Sequence, residues 1–155
     1  MSDVQGKRPH ESATCAFCRI IRGEEEASIV FEDSLSLAFL DRRPLFPGHC
    51  LLVPKEHFET LADLPTPLIG PLFQNAQLLE RAIEGGLAAD GTFVAINNHV
   101  SQSVPHVHIH LVPRHRKDGL NRTCSLCSRK PGESFHCCSS VFVYSLLRRE
   151  KTFTS

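Results

Sequence analysis

The segment His106-Val107-His108-Ile109-His110-Leu111-Val112 alternates imidazole and aliphatic side chains without a break. In an extended chain successive side chains point to opposite faces. His106, His108 and His110 therefore share one face, and Val107, Ile109 and Leu111 share the other. The aliphatic face can pack on helices. The imidazole face forgoes apolar burial and repels itself when charged, so it calls for another reason. It can be a solvated, histidine-rich face. It can be a three-histidine metal cage, the basis of a catalytic zinc hydrolase. Or one imidazole can be a nucleophile, oriented by its neighbours and assisted in binding an anion. A cage would occupy the lone pairs that a nucleophile needs, and spacing alone does not choose among the three.

The rest of the chain reads as an α+β arrangement of helix, three strands, helix and two strands. Phe17, Ile20 and Ile21 fit one face of a short helix closed by Gly23. Residues 28–32 and 35–40 are β-rich runs around a tight turn at Asp33-Ser34, and Pro44 to Gly48 makes residues 41–48 a loop. His49 to Val53 is a third strand, stopped by Pro54. Leu68, Ile69, Leu72, Phe73, Ala76, Leu79 and Ile83 recur at helical spacing, ending at Gly85-Gly86. Residues 92–96 and 106–112 complete five strands, and the short connections favour antiparallel pairing. Cys15-Ala16-Phe17-Cys18 is a C-x2-C pair. That spacing suits two thiolate ligands of one zinc, a pair of buried small residues, or a redox pair.

Nine histidines and seven cysteines are an excess for 155 residues. No apolar run reaches the roughly 18 residues of a membrane span. The polar start, Met1 to Ser12, lacks the apolar core of a secretory signal. A cytoplasmic chain is expected, in which cysteines serve as metal ligands or free thiols rather than disulfides. The formal net charge is zero, which gives no electrostatic reason to expect nucleic acid or an anionic membrane as partner. That zero conceals an asymmetry. Residues 121–155 carry six basic and two acidic side chains, a net +4, leaving −4 for the remainder. Residues 1–13 are expected to be disordered, residues 14–120 to form the domain, and 121–155 to be a Cys/Ser-rich, poorly ordered basic tail. Within that tail Cys124, Cys127, His136, Cys137 and Cys138 have spacing that permits a second metal site.

Four separated motifs fall in one order: the C-x2-C pair, Pro47-Gly48-His49-Cys50-Leu51-Leu52-Val53-Pro54-Lys55-Glu56-His57, Ser101-Gln102-Ser103-Val104-Pro105, and the alternating histidines. Residues 14–120 thereby resemble the histidine triad (HIT) superfamily, in particular its zinc-containing bacterial and Hint-like branch. The resemblance implies a five-stranded antiparallel sheet with two helices, pairing in a homodimer into a ten-stranded sheet. It implies that His108 is a nucleophile toward the α-phosphate of an AMP-type purine nucleotide, with His110 binding the phosphate and His49 orienting the nucleophile. Substrates would be a nucleoside phosphoramidate, a dinucleoside polyphosphate or adenylyl sulfate. Asn97 and Ser103 would lie near the phosphate, Asp41 would bind the ribose hydroxyls, and Phe17, Ile20, Phe39 and Leu40 would form the base pocket. Read without the resemblance, Asp41 simply caps the turn before Pro44, and Asn97 and Ser103 are loop residues. In the zinc-containing branch the ligands correspond to Cys15, Cys18, His57 and His106, a closed structural Zn2+ site that leaves His108 free. A non-catalytic nucleotide-binding protein on the same scaffold is the competing expectation.

Overall fold

The computed structural model describes residues 14–119. The expected disordered start and the basic tail with its candidate second metal set lie outside them. Among the described residues, no helix is long and apolar enough to cross a membrane.

Helix α1 spans Ala16–Ile21. It ends because Gly23 takes a left-handed φ of +72°. The Gly23 amide then donates to Ile20 O and the Glu24 amide to Arg19 O, which satisfies carbonyls that the helix leaves open. Strands β1 (Ile29–Glu32), β2 (Ser36–Leu40), β3 (Cys50–Pro54), β4 (Gly91–Ala95) and β5 (Ile109–Arg114) form one antiparallel sheet in the order β1-β2-β3-β5-β4. The β1–β2 turn is built on the Asp33 carboxylate. Its Oδ1 accepts the amides of Leu35 and Ser36, and its Oδ2 accepts the Asn75 side-chain amide from helix α2 (Thr66–Leu87).

Period-two alternation sorts the core into two layers. Ala38, Cys50, Leu52, Val107, Ile109 and Leu111 pack with Leu72, Ala76, Leu79 and Ile83 of α2. Leu37, Phe39, Leu51 and Val53 pack with Cys15, Phe17, Cys18 and Ile20. The two helices thus cover opposite faces of the sheet, and the histidines share the face of α1.

The structure revises four sequence expectations. Helix α2 runs through Gly85-Gly86 to Leu87 and ends at Ala88, whose φ is +51°. A helical glycine costs only about 1 kcal/mol, which does not stop a helix otherwise held by its buried stripe. Ile69 and Phe73, read as part of that stripe, are 36% and 40% exposed. Pro54 is the last residue of β3, paired with Ser36, and does not stop the strand short. The last strand begins at Ile109 rather than His106. The chain upstream of Ile109 keeps its alternation but is held by other bonds, such as the Val107 amide donating to Phe58 O.

Candidate active site

The loop between β2 and β3 folds back on itself around His49. The Asp41 amide donates to His49 O, the His49 amide to Phe46 O, and Gly48 takes φ +88° where a Cβ would lie 2.2 Å from Leu87 Cδ1. His49 is left 2% exposed beneath the loop. Its Nδ1 faces two groups: the Leu45 amide at 3.3 Å and Asp41 Oδ2 at 3.5 Å. The two call for opposite tautomers; the backbone N–H, which can only donate and is the nearer, assigns Nδ1 as the acceptor and places the ring proton on Nε2. Burial, opposed by the Asp41 charge, holds the His49 pKa below the ordinary value and keeps the ring neutral.

That assignment propagates. His49 Nε2–H donates to His110 Nδ1 at 3.1 Å. His110 must then carry its own proton on Nε2, and this buried atom has no hydrogen-bond partner. A buried N–H without an acceptor is costly and uncommon in folded proteins. It fits an incoming oxygen. Burial, with His108 and His49 alongside, pushes the His110 pKa down to about 4, so the donor is a neutral imidazole.

His108 is 2% exposed, and its tautomer is set from the other side. Its Nδ1–H donates to His106 O at 2.7 Å, which leaves the Nε2 lone pair free. Burial again lowers its pKa. The ring packs edge-on against Phe17, with centroids 5.2 Å apart, and lies 4.8 Å from the His110 ring.

These rings border a cavity of about 470 Å³. Phe17, Ile20, Phe39, Leu40, Asp41, Ser103, His108 and His110 all line it, one side apolar and the other polar. A second cavity, about 290 Å³, is lined by His49 and Asn97 and shares Asp41, Arg43 and His110 with the first. The structure therefore brings all ten sequence-derived catalytic and substrate-binding candidates to two adjoining hollows. Asp41 caps the turn, its Oδ1 accepting the Arg43 amide at 2.8 Å, and it also lines both cavities. Ser103 is exposed, and the Asn97 amide makes only a 3.5 Å contact with Ser101 O. Their loop is tied down through Gln102, which donates to Glu59 O and accepts the His99 amide. Sequence reasoning missed Arg42, Arg43 and Val104 as lining residues; the arginines' place directly after Asp41 was the available signal.

On the other side of His106 lies a second cluster. Ligand atoms of Cys15, Cys18, His57 and His106 lie within 4.8 Å of one another. His57 Nδ1 and His106 Nδ1 are 3.3 Å apart. Cys15 Sγ and Cys18 Sγ each stand 3.6 Å from His106 Nδ1, and Cys18 Sγ is 3.3 Å from His57 Nδ1. A tetrahedral zinc with ordinary bond lengths places two nitrogens about 3.3 Å apart and a nitrogen and sulfur about 3.6 Å apart. The residues fit such an ion. The His106 tautomer agrees, since Nε2–H donates to Pro54 O at 2.9 Å and leaves Nδ1 as a donor atom for a metal. Burial, with His57 and His108 nearby, lowers the His106 pKa to about 4, consistent with a neutral ligand.

Among the described residues, His106, His108 and His110 do not converge on one ion, which removes the geometry that a three-histidine cage needs. Asp41, His49 and His110 also approach within 4.8 Å. The His49–His110 hydrogen bond already uses the nitrogens that face each other there, which takes them from an ion.

The sequence profile of the HIT domain matches residues 22–117. An adenylylsulfatase of Arabidopsis thaliana is 36% identical over 125 residues, 77% of this chain and 64% of that protein, just under two thirds of its length. An adenosine 5′-monophosphoramidase of Saccharomyces cerevisiae is 38% identical over 111 residues, 70% of this chain and 68% of that one. The crystal structure of a zinc-bound histidine triad family protein from Mycobacterium smegmatis superposes with a TM-score of 0.67 at 38% identity. It covers 70% of this chain and 81% of its own.

Proposed function

The chain belongs to the HIT family, and from that premise we propose that it hydrolyses nucleotides at the α-phosphate of AMP-type substrates through a covalent intermediate on His108. The observation that carries this reading is the ordered set of ring protons. His108 keeps an Nε2 lone pair, His110 carries a buried Nε2–H with no partner, and both residues line one cavity.

The chemistry follows from that pairing. The base lies among Phe17, Ile20, Phe39 and Leu40, and Asp41, an acceptor when ionised, takes the ribose hydroxyls. His108 Nε2 attacks phosphorus, the bond to the leaving group breaks, and a P–N bond forms. The ring becomes cationic as it does so, and the His106 carbonyl on Nδ1–H and the Asp41 charge both favour that state. His110 Nε2–H, with Asn97 and Ser103 nearby, meets the charge on the phosphoryl oxygens. Water then attacks phosphorus, the P–N bond breaks, AMP departs and His108 regains its lone pair. Splitting one substitution at phosphorus into two lowers each barrier.

Cys15, Cys18, His57 and His106 would hold Zn2+, which supplies a fixed structural crosslink rather than an activated water, because four protein ligands leave no open position. The crosslink joins α1 to the residue whose carbonyl sets the His108 tautomer. A homodimer is supported by the edge strand β4, where Phe93 and Val94 are 43% and 41% exposed.

Purified protein assayed on AMP phosphoramidate, adenylyl sulfate and diadenosine polyphosphates should turn over at least one of them, with adenylylated His108 detectable by mass spectrometry. His108→Ala should lower turnover by more than about a thousandfold while keeping one bound zinc, and Cys15→Ser should lose the zinc. Binding of nucleotides without turnover would instead establish a non-catalytic scaffold.

A further inference from the structure

Two arginines follow Asp41, and among the described residues only the first has side-chain partners. Arg42 pairs with Glu25 at 2.7 Å and donates to Glu26 O at 2.7 Å. Arg43 is exposed, and its side chain makes no hydrogen bond or ion pair among the described residues. Its backbone is fixed, because its amide donates to Asp41 Oδ1. It also borders both cavities, sharing that position only with Asp41 and His110.

The arrangement assigns direction to the substrate. The apolar wall of the larger cavity suits the nucleoside, and His110 Nε2–H marks where a phosphoryl oxygen is bound. The smaller cavity, reached past His110 and Arg43, is then the space for the departing group. Its only acidic lining residue is Asp41, one of whose oxygens the Arg43 amide already occupies. A guanidinium presents a planar fork of donors that matches a tetrahedral oxyanion.

We propose that Arg43 is a specificity-determining residue that selects adenylates whose leaving group is an oxyanion, a sulfate or a further phosphate, over those with a neutral amine. This rests on the hydrolase reading above. In the first step the His108 Nε2–P bond forms as the P–O bond to the leaving group breaks. Its electron pair goes to the departing oxygen, which leaves as a free oxyanion with no proton required. Charge on that oxygen grows toward the transition state, so a cation beside it assists the step more than it assists ground-state binding. An amine leaving group takes a proton instead and gains nothing from a guanidinium.

The test compares two substrates that share the AMP moiety, adenosine 5′-phosphosulfate and adenosine 5′-phosphoramidate, on the full chain loaded with zinc. The readout is the ratio of their kcat/KM values. Arg43→Gln should lower the phosphosulfate-to-phosphoramidate ratio by about tenfold or more, the scale of one charge-assisted contact, and Arg43→Lys should recover part of it. Wild-type turnover of both substrates with the ratio unchanged in Arg43→Gln overturns the assignment of Arg43 and leaves the hydrolase reading standing. Wild-type turnover of the phosphoramidate alone also overturns it. Turnover of neither substrate, nor of any other AMP-type nucleotide, overturns both.

Discussion

At the scale of single residues, the site is a problem in proton placement. The rings of His49 and His108 both lie against that of His110, and the tautomer of each, like that of His106, is set by one backbone group or one neighbour. Leu45 N–H acts on His49, His49 on His110, His106 O on His108, and Pro54 O on His106. Burial keeps them neutral, and that has a thermodynamic consequence. The folded pKa of His110, about 4, lies below the roughly 6.5 of an unfolded histidine. The unfolded chain therefore binds more protons between those values, and stability falls as pH drops from about 6.5 to about 4, then levels off. With partial solvent access, the contribution of His110 across that window is on the order of 1–3 kcal/mol. Urea denaturation at pH 7 and pH 4.5 should show a smaller acid-induced loss in His110→Gln than in the wild type. An equal loss in both would mean that His110 is not held neutral by its surroundings.

At the scale of elements, glycine has opposite meanings at two places. Gly48 closes the loop over His49 with φ +88°, and a Cβ there would meet Leu87 Cδ1 at 2.2 Å and Pro113 Cγ at 3.2 Å. Gly85 sits within α2 with nothing within 4 Å of a Cβ. Gly85→Ala should therefore stabilise the fold by about 0.5–1 kcal/mol. Gly48→Ala should destabilise it, by about 1–3 kcal/mol from the left-handed strain and the clash together. Thermal melts of the two variants should move in opposite directions, and a Gly48→Ala melt at or above the wild-type midpoint would contradict this account of the loop. The C-terminal end of α2 is thus tied to the loop that carries Asp41 and His49, because Leu87 fills the space that a side chain at position 48 would need.

At the scale of the whole molecule, the sheet ends in two edge strands, β1 and β4. Strand β4 pairs only with β5, and its free side has backbone donors and acceptors beside exposed Phe93 and Val94, with Leu87 of α2 also exposed. An open apolar edge invites another strand. The proposed homodimer, joined through β4, should sediment as twice the monomer mass, and Val94→Lys should shift it to the monomer. Val94 lines neither cavity, so its replacement tests the edge without touching the proposed nucleotide site. A variant that remained dimeric would place the interface elsewhere.

Local order was legible where physical periodicity reports it. The alternation at residues 106–112 revealed both faces of the histidine segment, because side-chain direction in an extended chain depends only on position. Gly23 and the Pro44–Gly48 cluster marked a helix end and a loop for equally local reasons. The limits of α2 and β5 were not legible. Gly85-Gly86 is a breaker only when packing does not oppose it, and whether His106 joins a ladder depends on which distant strand pairs with it. The division of labour among the histidines was likewise open to local reasoning, since the three are equivalent by spacing. Resemblance suggested a division, and the tertiary structure gives the three histidines different partners. Cys15, Cys18 and His57 come from two remote segments to surround His106, while His49 and Leu45 come from another to orient His110. The sequence by itself determined that one face would carry three imidazoles. Only the fold decided which nitrogen of each is free, because that depends on hydrogen-bond partners far away in the chain.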